Sequence, residues 1–244
     1  MPGDQESKHH QTNGSPKEGE PIHTTKKPIQ QWRTVVFRVY VLVVLVAFIL
    51  LALSSSTTPY FPIDLAITKG FQDFRIWGFT GLMRAVSWPG YPPQAPIITG
   101  VILLILYIIG SRRQTFMAAS IGLGVEAIDV IVKIIVHRPR PSPTLVHVVR
   151  HLDSYSFPSG HVTYYTAFLG FLLFLSCTEV RNSWVRIVTI IIFTAMIVLV
   201  GPSRIYLGEH WASDVLGGYL LGSAGLLMGI RIYNRGKARL TTDD

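Results

Sequence analysis

Six runs of 16 to 22 mostly apolar residues, at about 35–53, 95–110, 115–136, 162–177, 185–201 and 212–230, dominate this chain of 244 residues. A helix needs about 20 such residues to cross a bilayer core about 30 Å thick. In hydrocarbon every backbone N–H and C=O must be satisfied inside its own segment, which a helix does and an open strand does not. The expected fold class is therefore all-α, an integral membrane bundle of six transmembrane helices. Composition agrees: 15% of residues are charged, against about 25% in an ordinary soluble domain, and the mean hydropathy is +0.38. A soluble globular enzyme and a disordered protein are both excluded as readings.

The stretch 60–93 mixes Phe71, Phe74, Trp77, Phe79, Trp88 and Tyr91 with Lys69, Arg75 and Arg84. That mixture suits interfacial helices in the first outer loop rather than a span. Residues 1–33 are rich in Gly, Pro, Ser, Thr, Lys and Gln without apolar periodicity, and read as a disordered cytoplasmic tail. His9 and His10 adjoin there, and two histidines in such a tail seldom make a metal site. The expected organisation is a tail at 1–33, a membrane domain at 34–230 and a basic cytoplasmic tail at 231–244. The first apolar run follows a leader too long for an ordinary signal peptide and reads as a retained anchor.

A formal charge of +8 raises the question of nucleic acid. The tail answers it: residues 1–33 hold five Lys/Arg and four Asp/Glu. The surplus sits in short loops beside the apolar runs, so membrane lipids and anions are the expected partners and nucleic acid is not. With six spans, Lys and Arg number thirteen on the side of the termini and eight on the other, Arg38 lying within the first run. The positive-inside rule then places both termini in the cytoplasm and segments 54–94, 137–161 and 202–211 outside. The single cysteine, Cys177, precludes an intrachain disulfide and a cysteine-rich metal site.

Three clusters near the expected outer helix ends carry groups that spans normally avoid. Lys133 precedes His137-Arg138-Pro139-Arg140-Pro141, whose prolines forbid a regular helix. Lys133 and Arg140 can converge on one anion, and snorkelling to lipid headgroups fits them equally. Phe157-Pro158-Ser159-Gly160-His161 runs directly into the fourth apolar run. Ser159 suits an N-cap and Gly160 admits an anion close to the backbone, as an ordinary capped helix start with an interfacial histidine also would. Ser203-Arg204 is followed after five residues by His210 and after three more by Asp214. His210 and Asp214 share a helix face, where the carboxylate can accept Nδ1–H and leave Nε2 as base or nucleophile; a merely structural His–Asp bond is the alternative. Gly218, Gly222, Gly225 and Gly229 continue that stripe and permit close helix packing.

Taken together, Lys133 with Arg140-Pro141, Pro158-Ser159-Gly160-His161, and Ser203-Arg204 with His210 and Asp214 resemble the three signatures of the type 2 phosphatidic acid phosphatases. That superfamily is shared with vanadium haloperoxidases and some bacterial acid phosphatases, and the resemblance covers roughly residues 60–230. It implies His210 as the nucleophile forming a phosphohistidine, Asp214 as its orienting carboxylate, and His161 as the general acid that later activates water. Lys133, Arg140, Arg204, Ser159 and Gly160 would hold the phosphoryl oxygens. Three cations around such a group imply chemistry with no metal and no cofactor. Arg138 falls outside the signature, and His137, His147, His151 and Glu126 receive no role. Asp129, one turn before Lys133, is expected to pair with it.

The hydrophobicity favours the lipid phosphatase branch, in a plasma membrane with the active site on the outer face. A polyprenyl diphosphate and a glycerolipid phosphate, such as phosphatidic acid or phosphatidylglycerol phosphate, both fit as substrate. A membrane haloperoxidase and a noncatalytic phospholipid-binding or transport protein are the rival classes. The completeness of His161, His210 and Asp214 argues against mere binding, which needs only the cations.

Overall fold

The computed structural model describes Gly3, residues 26–74 and residues 76–240, with side chains at 32, 34–74 and 76–236. Of the expected tail at 1–33, residues 1–25 apart from Gly3 lie outside the described residues with His9 and His10, as do Arg75 and 241–244, while 26–33 are not irregular but open helix α1. Every element is helical; no strand occurs among the described residues. In order the elements are α1 (Lys26–Thr57), α2 (Pro62–Gln72), α3 (Phe79–Ser87) running into a 3₁₀ turn (Trp88–Gly90), α4 (Gln94–Ile109), α5 (Arg112–Val136), α6 (Gly160–Tyr164), a π segment (Tyr165–Leu169), α7 (Gly170–Thr178), α8 (Ser183–Tyr206) and α9 (Ala212–Leu240).

The chain divides into two compact units, residues 1–39 and 40–244. In the first, the described backbone is the opening part of α1. The second unit holds the remaining elements and the candidate site.

All six apolar runs are helical. Among the described residues, four helices are long and apolar enough to cross a membrane: Thr34–Thr57, Gly160–Thr178, Ser183–Tyr206 and Ala212–Gly236. A fifth candidate is the pair Phe79–Gly90 and Gln94–Ile109, bent by 66° as a broken span or re-entrant loop. α5 carries Glu126, Asp129 and Lys133 and is not among these. The stretch 60–93 does form helices, α2 and α3, but α3 joins α4 in the bent pair. Helix α9 continues through Leu240, so the expected tail from 231 is helical that far.

Local chemistry explains the element ends that matter for the site. Ser111 and Gln114 close a reciprocal capping box on α5, Ser111 Oγ accepting from Gln114 N at 3.2 Å and Gln114 Oε1 from Ser111 N at 3.1 Å. At its other end His137 adopts φ 54°, and its N–H reaches the Lys133 carbonyl at 3.0 Å. Histidine tolerates that left-handed conformation better than most side chains, so His137 stops α5 and turns the chain into the proline-rich stretch. Pro202 lies inside α8 and cannot donate to the Val198 carbonyl one turn back. The Tyr219 hydroxyl, from α9, lies 3.4 Å from that oxygen and donates to the Ile197 carbonyl at 2.8 Å.

The core lies around α6, the π segment and α7, where Val162, Ala167, Phe168 and Phe171 are fully buried. The glycine stripe of α9 lies against them. A Cβ at Gly222 would come within 2.7 Å of the Thr163 carbonyl oxygen, and one at Gly218 within 2.8 Å of the Ser159 oxygen. Further along, Gly225 and Gly229 meet Val125 and Ile121 of α5. The close approach of α9 requires the absence of side chains there, and it brings the start of α9 onto the start of α6.

Candidate active site

The three sequence clusters converge at one end of these helices. Lys133, in the last turn of α5, is ion-paired with Asp129 one turn earlier, as the spacing predicts. Gly160, the first residue of α6, backs onto that pair: a Cβ there would lie 3.1 Å from Asp129 Oδ2 and 3.2 Å from Lys133 Nζ. Ser159 N donates to the Asp214 carbonyl at 3.0 Å, tying the start of α6 to the start of α9. Ser159 occupies the N-cap position, yet its hydroxyl caps nothing; Oγ is buried without a partner in the chain.

His161 is held from a segment that the three motifs do not include. A Cβ at Gly90 would lie 2.3 Å from His161 Cδ2, and the Tyr91 ring meets the imidazole edge-on with centroids 4.8 Å apart. Its Nε2 is buried and unpartnered.

His210 is buried between Arg140 and Asp214. Its Nε2 lies 3.0 Å from Arg140 Nη1, and its Nδ1 lies 3.7 Å from Asp214 Oδ2. A guanidinium only donates, so Nε2 is the accepting nitrogen and the imidazole proton sits on Nδ1, facing the carboxylate. The distance is too long for a hydrogen bond, and among the described residues Nδ1 makes no well-aligned one. Asp214 is thus placed to orient His210 but does not grip it. Burial, reinforced by the Arg140 and Arg204 charges, pushes the His210 pKa well below its ordinary value. The ring is neutral at physiological pH, as a nitrogen nucleophile must be.

Arg140 donates through Nε to the Ser154 carbonyl at 2.7 Å, through Nη1 to the Glu209 carbonyl at 2.7 Å and through Nη2 to Ser154 Oγ at 2.8 Å. Burial and the neighbouring Arg204 charge lower its pKa to about 10, which leaves it charged at neutral pH. Arg204 is buried in an ion pair with Glu209 and donates to Tyr91 Oη at 2.7 Å, while its Nε has no partner. Arg204 therefore reaches the site already neutralised by a carboxylate, a feature that its motif spacing does not reveal.

Sequence reasoning missed Arg138, a fully buried arginine that ion-pairs with two carboxylates. Its Nη1 donates to Asp214 Oδ1 at 2.6 Å and to Ser213 Oγ at 2.6 Å, its Nη2 to Asp64 Oδ2 at 2.9 Å, and its Nε to the Pro59 carbonyl at 3.2 Å. Arg138, Asp64 and Asp214 are all fully buried. Asp64, from α2, also accepts from Ser213 N and Ser213 Oγ, each at 2.8 Å. Asp214 Oδ2 accepts from Trp211 N at 2.8 Å and from Ser156 Oγ. One arginine in Arg-Pro-Arg-Pro so faces the histidine and the other holds the carboxylate behind it. Apart from the alternation of the two prolines, no local signal distinguishes them.

Among the described residues, eight buried side-chain polar atoms lack a partner, and four of them, on Ser159, His161, Arg204 and His210, fall on residues of the three clusters. Buried polar groups are nearly always paired, so such a set points to a polar ligand shared among them.

Residues 113–237 match the PAP2 superfamily, and the chain belongs to it. It is a multi-pass membrane protein of that superfamily. Its fold is that of the transmembrane PAP2-type phosphatidylglycerolphosphate phosphatase of Bacillus subtilis, with a TM-score of 0.69 at 23% identity over 80% of this chain and 96% of that one. In sequence it is 30% identical over 128 residues to a Bacillus subtilis undecaprenyl-diphosphatase, covering 50% of this chain and 61% of that protein. It is 42% identical over 77 residues to phosphatidylglycerophosphatase B of the same organism, covering 30% of this chain and 36% of the relative. The matches span less than two thirds of either relative.

Proposed function

We propose that the protein is an integral membrane lipid phosphatase that hydrolyses a lipid phosphomonoester or polyprenyl diphosphate through a phosphohistidine, without a metal. The observation that carries this reading is the neutral His210, its Nε2 lone pair turned toward Arg140 and its Nδ1 toward Asp214. A bound phosphoryl group takes up the Arg140 donors and frees that lone pair. Nε2 attacks phosphorus, the P–O bond breaks, and the leaving oxygen takes a proton from His161. Water then attacks the phosphohistidine, gives its proton to His161 and restores His210 with release of phosphate.

Lys133, Arg140 and Arg204, with Ser159 and the Gly160 backbone, hold the equatorial oxygens on which charge spreads in the transition state. The relatives named for lipid phosphatase activities support this reading over haloperoxidase chemistry or noncatalytic binding. The arrangement in the membrane that goes with it has six spans, with α4 and α5 crossing, both termini cytoplasmic and the site at the outer face of the plasma membrane.

The test is phosphate release by detergent-purified protein in EDTA from undecaprenyl diphosphate, phosphatidic acid and phosphatidylglycerol phosphate. Release from at least one lipid, abolished in His210→Ala, is the expected result. Release that requires added divalent metal, or that survives in His210→Ala, overturns the mechanism.

A further inference from the structure

A cavity of about 200 Å³ lies beside the candidate site, lined in part by Arg140, Ser142, Arg150, His151 and Glu209. Arg140 belongs to both places, since its Nη1 faces His210 Nε2. Arg150 and His151 come from the loop between α5 and α6, are exposed, and have no role in the phosphoryl site described above. The Arg150 guanidinium carbon sits 4.6 Å from the centre of the Tyr91 ring, and that of Arg204 sits 5.0 Å from the same centre. The two guanidinium carbons are therefore within about 10 Å of each other. Two adjoining phosphorus centres, each bound through contacts of about 2.8 Å, span such a gap.

The charges at this cavity are unequal in their freedom. Glu209 spends its carboxylate on Arg204 and on the Tyr91 hydroxyl. Arg140 donates to backbone and serine oxygens. Arg150 makes no ion pair among the described residues, and its contact is the face of Tyr91. The Tyr91 ring thereby links a cation committed to the phosphoryl site with one that is not.

We propose that Arg150 and His151 form a second anion subsite beside the phosphoryl-transfer site, and that the substrate is a lipid diphosphate. The proposal rests on the phosphatase reading and names its substrate class. The terminal phosphorus is held at His210 and the inner phosphate at Arg150. As the His210 Nε2–P bond forms, the bridging P–O bond breaks and its electron pair stays on the lipid monophosphate. That product gains charge in the transition state, where Arg150 balances it. Water then releases the terminal phosphate from His210. A monoester has no inner phosphate and leaves Arg150 without a ligand.

The test compares farnesyl diphosphate with farnesyl monophosphate as substrates of the full-length protein in detergent, for wild type and Arg150→Ala. The expected result is a fall of tenfold or more in the ratio of kcat/KM for the diphosphate to that for the monophosphate. An unchanged ratio, whether both rates fall together or neither does, overturns the subsite. Calorimetric titration with methylenediphosphonate and with inorganic phosphate provides a readout independent of turnover. Wild type binds the diphosphonate more tightly, and Arg150→Ala loses that preference; equal binding of the two by wild type overturns the proposal. If wild type hydrolyses neither farnesyl lipid, the lipid panel given above judges the phosphatase reading separately, and the titration still decides the subsite.

Discussion

At the scale of single residues, His210, the proposed nucleophile, faces one arginine directly and a second through Asp214. Arg140 faces the His210 lone pair, and Arg138 lies behind Asp214. Removing one partner of a buried ion pair costs about 3–5 kcal/mol, because the other charge is left without compensation. Arg138→Met therefore tests stability more than chemistry. Arg138→Lys keeps the charge and loses the fork that reaches Asp64 and Asp214 together. Its kcat is expected to fall by about tenfold or more while KM changes little, since Arg138 touches Asp214 and not the substrate; a rise in KM at constant kcat would refute the positioning role. His210 gives a pH dependence. Its folded pKa is depressed, so the unfolded chain takes up a proton that the native state refuses. That contribution to stability is complete above the unfolded value of about 6.5 and is lost as pH falls below it. Thermal unfolding in detergent should shift to lower temperature on acidification, and less so in His210→Gln.

At the scale of elements, the site exists because α9 lies directly on α6. The glycine stripe at 218, 222, 225 and 229 was legible as a close-packing face, and the structure shows what it packs against. Ser159 N to the Asp214 carbonyl is the register mark of that contact. Gly222→Val pushes a branched side chain toward the Thr163 carbonyl and Thr166, from which even its Cβ would lie only 2.7 Å. Overpacking of this kind costs about 1–3 kcal/mol. The variant is expected to unfold at lower temperature and to lose activity through separation of Asp214 from Ser159. Gly100, where a Cβ meets nothing within 4 Å, is the control for which Gly100→Val leaves the unfolding temperature unchanged. Ser159 takes the N-cap position that its residue type suits, but its hydroxyl does not cap, because a favourable N-cap residue type says nothing of where its hydroxyl turns.

For the whole molecule, the six apolar runs form helices, and the proposed six-span arrangement puts both termini in the cytoplasm. Single cysteines placed at exposed Arg112 and at exposed Arg150, with Cys177 replaced by Ser, test that orientation. In intact cells a membrane-impermeant maleimide is expected to label position 150 and not position 112. Labelling of both, or of 112 alone, contradicts the six-span arrangement.

Apolar run length, the three motif spacings and the pairing of Asp129 with Lys133 were determined by the sequence alone, because each depends on neighbours within one or two helical turns. The tertiary structure alone decided which charges neutralise which. Arg138 finds Asp64 from 74 positions away, and Arg204 meets Tyr91 from 113 positions away. It also broke the π segment into the fourth run and bent α3 against α4. The physical reason is that a buried charge must find its partner wherever folding brings one within a few ångströms, and sequence spacing carries no record of that distance.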